Sequence, residues 1–333
     1  MTDLELIAYA EQHAQQDALL TRGEIIQLLS IEPGSEAWRE LGAAARRVSH
    51  KLTGDRAYLW GAIGVDFAPC SMNCDFCSLG EKWGLTTETR EYDEEETVRQ
   101  VREYAENGVR WIVLRTTEFY SKERLGEMIR TIRARVPGAY EIGLNIGEFD
   151  LDTANWLHSC GVDFIYHSLR LGEGQDTRFD PQVRMSTLRA VQQSPLKLVF
   201  LVEPVGVEHT NEEIADICLL SADCNAIVSG AMARIPVPGT PLGRHPQISD
   251  ERLAQIIAVT RLACGAHVPD ICVHPGTQLA MEFGANVTVI ETGSIPRDVC
   301  CCSGGKWNQF DAPKAKQLFA AAGYTVHQTA EGD

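Results

Sequence analysis

Between residues 57 and 291 the sequence returns eight times to a short apolar run of strand length, at about 57–66, 110–115, 140–146, 162–168, 197–202, 225–231, 269–274 and 286–291. Most intervals carry apolar residues at helical spacing, and several have a recognisable start. Ser121 precedes Leu125, Met128, Ile129 and Ile132. Asp180 and Pro181 set an N-cap before an N1 proline. Thr210 with Glu213 forms a capping box, Ser249 opens a helix through Leu253 and Ile257, and Asp311 opens another that Gly323 stops. Strand-then-helix units repeated eight times predict an α/β fold of the TIM type, a (β/α)8 barrel. A doubly wound sheet is the alternative, disfavoured because the alternation runs on without a break in composition. Upstream, Ser35 caps a helix with Trp38, Leu41, Ala45, Val48 and Leu52 on one face and Gly54 as its stop, so residues 1–55 read as an N-terminal helical extension. The barrel is expected over 56–325, with 326–333 as a tail.

Composition narrows the function classes. The chain has 333 residues, 44% of them hydrophobic, enough for a sizeable core. Thirty basic residues against 46 acidic ones give a net charge of −16, a surface that repels phosphate backbones, so no nucleic-acid partner is expected. No apolar run reaches the roughly 18 residues needed to cross a bilayer, and Met1-Thr2-Asp3-Leu4-Glu5 lacks the basic start of a secretory leader. A cytoplasmic protein is the expectation, and in a reducing compartment its eleven cysteines point to metal before disulfides.

Three of these cysteines, Cys70, Cys74 and Cys77, lie within eight residues directly after the first strand. Loops at that end of barrel strands build active sites. Three thiolates can hold three irons of a cubane cluster and leave the fourth iron open to another ligand. A structural zinc site would need a second cysteine or histidine pair at usual spacing, and none is present. A second group, Cys300-Cys301-Cys302-Ser303-Gly304-Gly305, follows the eighth strand, again at the catalytic end. It suits an auxiliary iron–sulfur cluster, with Cys272 on strand seven as a further ligand; a vicinal disulfide or a metal-trafficking site are alternatives, and Cys272 also reads as plain strand packing. Cys160, Cys218, Cys224 and Cys264 read as core cysteines.

The CxxxCxxC spacing, with aromatic Phe76 before the last cysteine, resembles the signature of the radical S-adenosylmethionine (SAM) superfamily. Pro238-Gly239-Thr240-Pro241-Leu242, Phe283-Gly284-Ala285-Asn286 and the final Leu318-Phe319 helix resemble one branch, biotin synthase and its relatives, over roughly residues 20–325. The resemblance implies a [4Fe–4S] cluster on Cys70, Cys74 and Cys77 whose open iron binds SAM, and reductive cleavage to a 5′-deoxyadenosyl radical. It implies a flavodoxin or ferredoxin as electron donor, a small-molecule or lipoyl-type substrate and no membrane partner. Glu118, in Thr116-Thr117-Glu118, stands where the family contacts the SAM amino group, although an ordinary loop glutamate reads similarly. Arg184 resembles the arginine that pairs with the SAM carboxylate, or is a helix-surface arginine. In His167-Ser168-Leu169-Arg170, Arg170 occupies the place of the family's ribose-binding aspartate, with Glu173 as a substitute; Ser168 and Met232 fall near the positions that bind substrate. Glu203 and Glu208 are candidates for the strand-five end of the site, Glu208 the more exposed. Cys272 falls where biotin synthase ligates its sulfur-donating cluster through arginine, while Arg115 and Phe200 stand at two of that cluster's cysteine positions. Sulfur insertion into an unactivated C–H bond, a sulfurtransferase activity, is therefore the leading expectation. A sulfur-free rearrangement or cleavage, and a non-enzymatic cluster scaffold, are the alternatives.

Overall fold

The computed structural model describes residues 1–16, 18–293 and 310–327. The eight apolar runs form eight parallel strands: β1 (Arg56–Gly64), β2 (Trp111–Arg115), β3 (Glu141–Asn145), β4 (Phe164–Tyr166), β5 (Lys197–Val199, continued by Val202–Val205), β6 (Ala226–Ala233), β7 (Asp270–His274) and β8 (Val287–Gly293). Each pairs in parallel with its sequence neighbour, and β8 pairs with β1 from Tyr58↔Val287 to Gly64↔Gly293, so the sheet closes on itself. The (β/α)8 barrel expected from the alternation is the fold. Among the described residues the irregular strand is β5, where the register against β6 shifts between Leu198 and Val199 and again between Val202 and Val205.

The helices are α1 (Asp3–Gln15), α2 (Arg22–Leu29), α3 (Glu36–Thr53), α4 (Glu94–Glu106), α5 (Lys122–Arg135), α6 (Leu151–Ser159), α7 (Pro181–Gln193), α8 (Asn211–Asp223), α9 (Asp250–Cys264), α10 (Gln278–Glu282) and α11 (Ala312–Ala321). The capping residues act as expected: Ser35, Ser121, Asp180, Thr210, Ser249 and Asp311 each accept a backbone N–H of the first turn. Gly54 ends α3 in the left-handed region at φ 60°, where a side chain would be strained.

Two apolar clusters result. The larger lies between barrel and helices and takes in Leu6, Ile7 and Ala10 of α1, Leu28 of α2 and Leu41 of α3, so the N-terminal extension shares its core with the barrel. The smaller fills the barrel's interior with Tyr58, Trp60, Trp111, Val113, Phe164, Leu201, Cys272 and Val289 among others, a packed floor. At the chain's other end Thr325 and Val326 pair in parallel with Arg56 and Ala57, so the tail expected from 326 begins as a short strand beside β1.

The joint between extension and barrel is tight at Gly42, where a β-carbon would meet the Phe283 ring at 2.5 Å. Gly42→Ala is expected to lower the stability of the whole fold by about 1–3 kcal/mol through overpacking, in one cooperative urea transition. Gly23→Ala, whose β-carbon meets nothing within 4 Å, is expected to be neutral or to stabilise by up to about 1 kcal/mol.

Candidate active site at the barrel mouth

The segment after β1 is held as a closed loop. Asp66–Phe67 pairs antiparallel with Arg90–Glu91, tying its two ends together. Inside it, the Cys70 N–H donates to the Leu79 carbonyl at 2.7 Å and the Glu81 N–H to the Cys70 carbonyl at 3.1 Å. Asn73 turns the chain at φ 44°, a conformation asparagine tolerates, and its Oδ1 accepts the Lys82 N–H at 2.8 Å. The Trp83 indole lies against Gly80, where a β-carbon would fall 2.2 Å from Nε1, and donates to the Cys74 carbonyl at 3.3 Å. From outside the loop, Asp75 donates its N–H to the Asp176 carbonyl at 2.8 Å and accepts that of Leu242 at 2.9 Å. The backbone therefore presents the three cysteines without help from their thiols.

Cys70, Cys74 and Cys77 are half-buried free thiols. Burial pushes the Cys74 thiol up to about 12, against the pull of the Arg170 charge. Cys70 is raised by burial and by the charges of Cys77, Glu118 and Glu81. A tetrahedral zinc with Zn–S bonds of about 2.3 Å would bring its sulfurs within roughly 3.8 Å of one another. Among the described residues the one trio whose donors lie within 4.8 Å is Asp176, Glu208 and His209. That acidic trio is itself no cation site. Arg234 already pairs with Glu208, and the Gly206 N–H donates to His209 Nδ1 at 2.9 Å, leaving the neutral ring its proton on Nε2.

The cavity under this loop is the top of the barrel lumen. Strand pleating alternates side chains in and out, and the last inward positions form a polar rim: Arg115 on β2, Asn145 on β3, Tyr166 on β4, Glu203 on β5, Met232 on β6, His274 on β7 and Glu291 on β8. Arg115 Nη1 reaches Glu291 Oε1 at 2.9 Å across β1, where the register partners are Gly64 and Ala62, small enough to pass over. His274 Nε2 lies 3.7 Å from Glu291 Oε2, and Tyr166 donates its hydroxyl to Glu203. Phe76, Cys77, Ser78 and Arg170 line the same space.

The structure sorts the residues expected from sequence. Phe76, Thr117 and Arg170 line the cavity; Thr117 also donates its N–H to Asp66 at 2.8 Å. Arg170 stacks on Phe179 at 5.1 Å, and its Nη1 has no hydrogen bond among the described residues. Glu118 accepts the Glu148 N–H at 3.4 Å, its carboxyl is raised by burial and by Glu148, and its charge acts on Cys70. Ser168 is buried; its Oγ accepts the Leu201 N–H at 3.1 Å and stitches β4 to β5. Arg184 is neither on the cavity nor on the helix surface. It is 2% exposed, bound to Glu148 at 2.7 Å, to Glu173 at 3.0 Å and to the Ser168 carbonyl at 2.7 Å. Cys272 lies in the apolar floor, and the rim position of its strand belongs to His274, two residues on. Cys300, Cys301 and Cys302 lie outside the described residues. Cys160, Cys218, Cys224 and Cys264 are buried in or beside helices, as expected. Sequence reading named only Glu203 and Met232 of the rim as site candidates, and it gave Arg115 no role. Period-two alternation at each strand's end was the signal available for the rest.

No family model matches the chain. It is 24% identical over 306 residues to a biotin synthase of Persephonella marina (strain DSM 14350 / EX-H1), covering 85% of this chain and 82% of that protein. A biotin synthase of Sulfurihydrogenibium sp. (strain YO3AOP1) is also 24% identical, over 73% of the chain and 74% of the relative. In fold it is similar to methylornithine synthase, with a TM-score of 0.77 at 19% identity over 96% of this chain and 98% of that one. It also resembles a maturase of the [FeFe]-hydrogenase, with a TM-score of 0.78 at 15% identity over 97% and 75%.

The buried ion network around Arg184 makes two tests. Arg184→Met removes the cation bonded to Glu148 and to the buried Glu173, leaving Glu173 only the more distant Arg170 at 3.7 Å, and is expected to cost about 3 kcal/mol in urea unfolding of the metal-free protein; a cavity arginine would cost far less. His167, in the same network, is lowered from 6.5 to about 4 by burial and the Arg184 charge, against Glu148. Between those values the unfolded chain binds a proton that the folded one refuses. Stability is therefore complete above pH ~6.5 and falls as the pH drops toward 4, by on the order of 3 kcal/mol. In His167→Gln that slope should flatten.

Proposed function

We propose that this chain, a member of the biotin synthase-like branch of the radical SAM superfamily, is an enzyme performing carbon-radical chemistry on a small molecule held in the barrel lumen. The observation that carries the reading is that the triplet loop and the polar rim open onto one cavity, so an atom bound at the thiols faces whatever fills the lumen. Cys70, Cys74 and Cys77 would hold a [4Fe–4S] cluster whose spare coordination position takes SAM. When bound, that pair supplies a 5′-deoxyadenosyl radical able to remove hydrogen from an unactivated carbon.

The chain's own residues bind, orient and exclude water. Arg170, whose Nη1 faces Glu173 at 3.7 Å but makes no hydrogen bond among the described residues, would turn its permanent charge to the SAM carboxylate, the role that the buried Arg184 leaves vacant. Glu118 and the Thr116–Thr117 backbone would receive the amino group, and Phe76 would cover the cluster. The rim of Arg115, Asn145, Glu203, His274 and Glu291 suits a substrate with a charged or polar head, while the floor takes its alkyl part and keeps solvent away. The electron donor would be a small low-potential protein of the ferredoxin or flavodoxin class.

Among the described residues no cysteine sits on the lumen rim, and the one thiol inside the barrel, Cys272, is 0% exposed in an apolar cluster. We take first a sulfur-free rearrangement or cleavage, which needs no cluster besides the one at Cys70, Cys74 and Cys77. Sulfur insertion is the second reading, carried by Cys300–Cys302 as ligands of a sulfur-donating cluster.

Anaerobic reconstitution separates the two. Under the first reading the protein carries roughly four irons, forms 5′-deoxyadenosine with SAM and a strong reductant, and keeps both when Cys300–Cys302 become alanine. Roughly six to eight irons falling to four in that variant, with a product heavier by one sulfur, would establish the second reading. Cys74→Ala is expected to abolish SAM cleavage, and cleavage persisting in that variant would remove the radical SAM assignment.

A further inference from the structure

The lumen contains a phenol–carboxylate pair with no part in holding the cluster or SAM. Tyr166, at the end of β4, lines the cavity shared with Phe76, Cys77 and Ser78. Its hydroxyl donates to Glu203, and its ring meets Trp60 edge-on with centroids 4.8 Å apart. Below it lies the apolar floor, and the charge of Arg170, which lines the same cavity, acts on both Tyr166 and Glu203. A phenolic O–H is a weaker bond than an aliphatic C–H, so a carbon radical formed in this cavity finds in Tyr166 a downhill source of hydrogen. The carboxylate is placed to pass a proton from solvent to the phenolic oxygen afterwards.

We propose that Tyr166 is the hydrogen-atom donor that quenches carbon radicals in the lumen, with Glu203 as its proton relay. The inference rests on the radical SAM reading. In the step, a C–H bond forms on the radical carbon, the Tyr166 O–H bond breaks, and the unpaired electron passes to the phenoxyl oxygen. Tyr166 is restored by one electron from the low-potential iron–sulfur or flavin protein that serves the cluster and one proton that Glu203 takes up from solvent and passes to the phenolic oxygen.

The test needs no substrate, because without one the adenosyl carbon is itself the radical to be quenched. The reconstituted full chain is incubated with SAM and titanium(III) citrate in thiol-free D2O, where the phenol carries deuterium. Most of the 5′-deoxyadenosine is expected to contain one deuterium. The deuterated fraction should fall at least ten-fold in Tyr166→Phe, and a frozen wild-type sample should show a phenoxyl EPR signal narrowed by ring-deuterated tyrosine. Cys272→Ala is expected to keep the deuterium; a loss there moves the donor to the floor thiol and overturns the proposal, as does all-protium product from the wild type. No 5′-deoxyadenosine at all overturns the parent reading as well. The metal-free protein gives an independent readout by NMR with Cζ-labelled tyrosine. The resonance assigned through Tyr166→Phe must move in Glu203→Gln, and its staying put removes Glu203 as the relay.

Discussion

Closure of the sheet by the β8–β1 seam is the constraint on which the site depends. Seven consecutive register pairs join these strands, and they bring the C-terminal ends of β8 and β2 to either side of β1. Arg115 and Glu291 can then meet over Gly64 and Ala62. An open, doubly wound sheet of the same strands would leave Glu291 and Arg115 at separate places, and the rim would not exist. The ring is thus a property of topology before it is one of any residue.

The large-scale features were legible because they rest on local chemistry. Apolar runs bounded by caps require no knowledge of the partner strand, and Ser35, Asp180, Thr210 and Asp311 announced their helices in a few residues each. The cysteine loop was legible for the same reason, since spacing along the chain sets which irons its thiols can reach. What escaped was set by distant partners. Arg184 looks like a surface residue among Gln182, Met185 and Ser186, yet Glu148 and Glu173 arrive from two other loops and bury it. Cys272 and His274 differ only by one pleat, and sequence alone does not say which stands at the level of the rim.

Charge is distributed unevenly inside the barrel. The floor is aromatic and aliphatic, and the rim carries acids and bases within reach of one another. Polar groups so placed are expensive to bury unless something polar completes them. A pocket of this kind selects by chemistry at its top and by shape at its bottom.

The packed floor has a kinetic consequence. Tyr58, Trp60, Trp111 and Phe164 plug the lumen from below, so the mouth beneath the triplet loop is its doorway. Anything that reaches the depth of the barrel therefore passes the level of Cys77 on its way in and again on its way out.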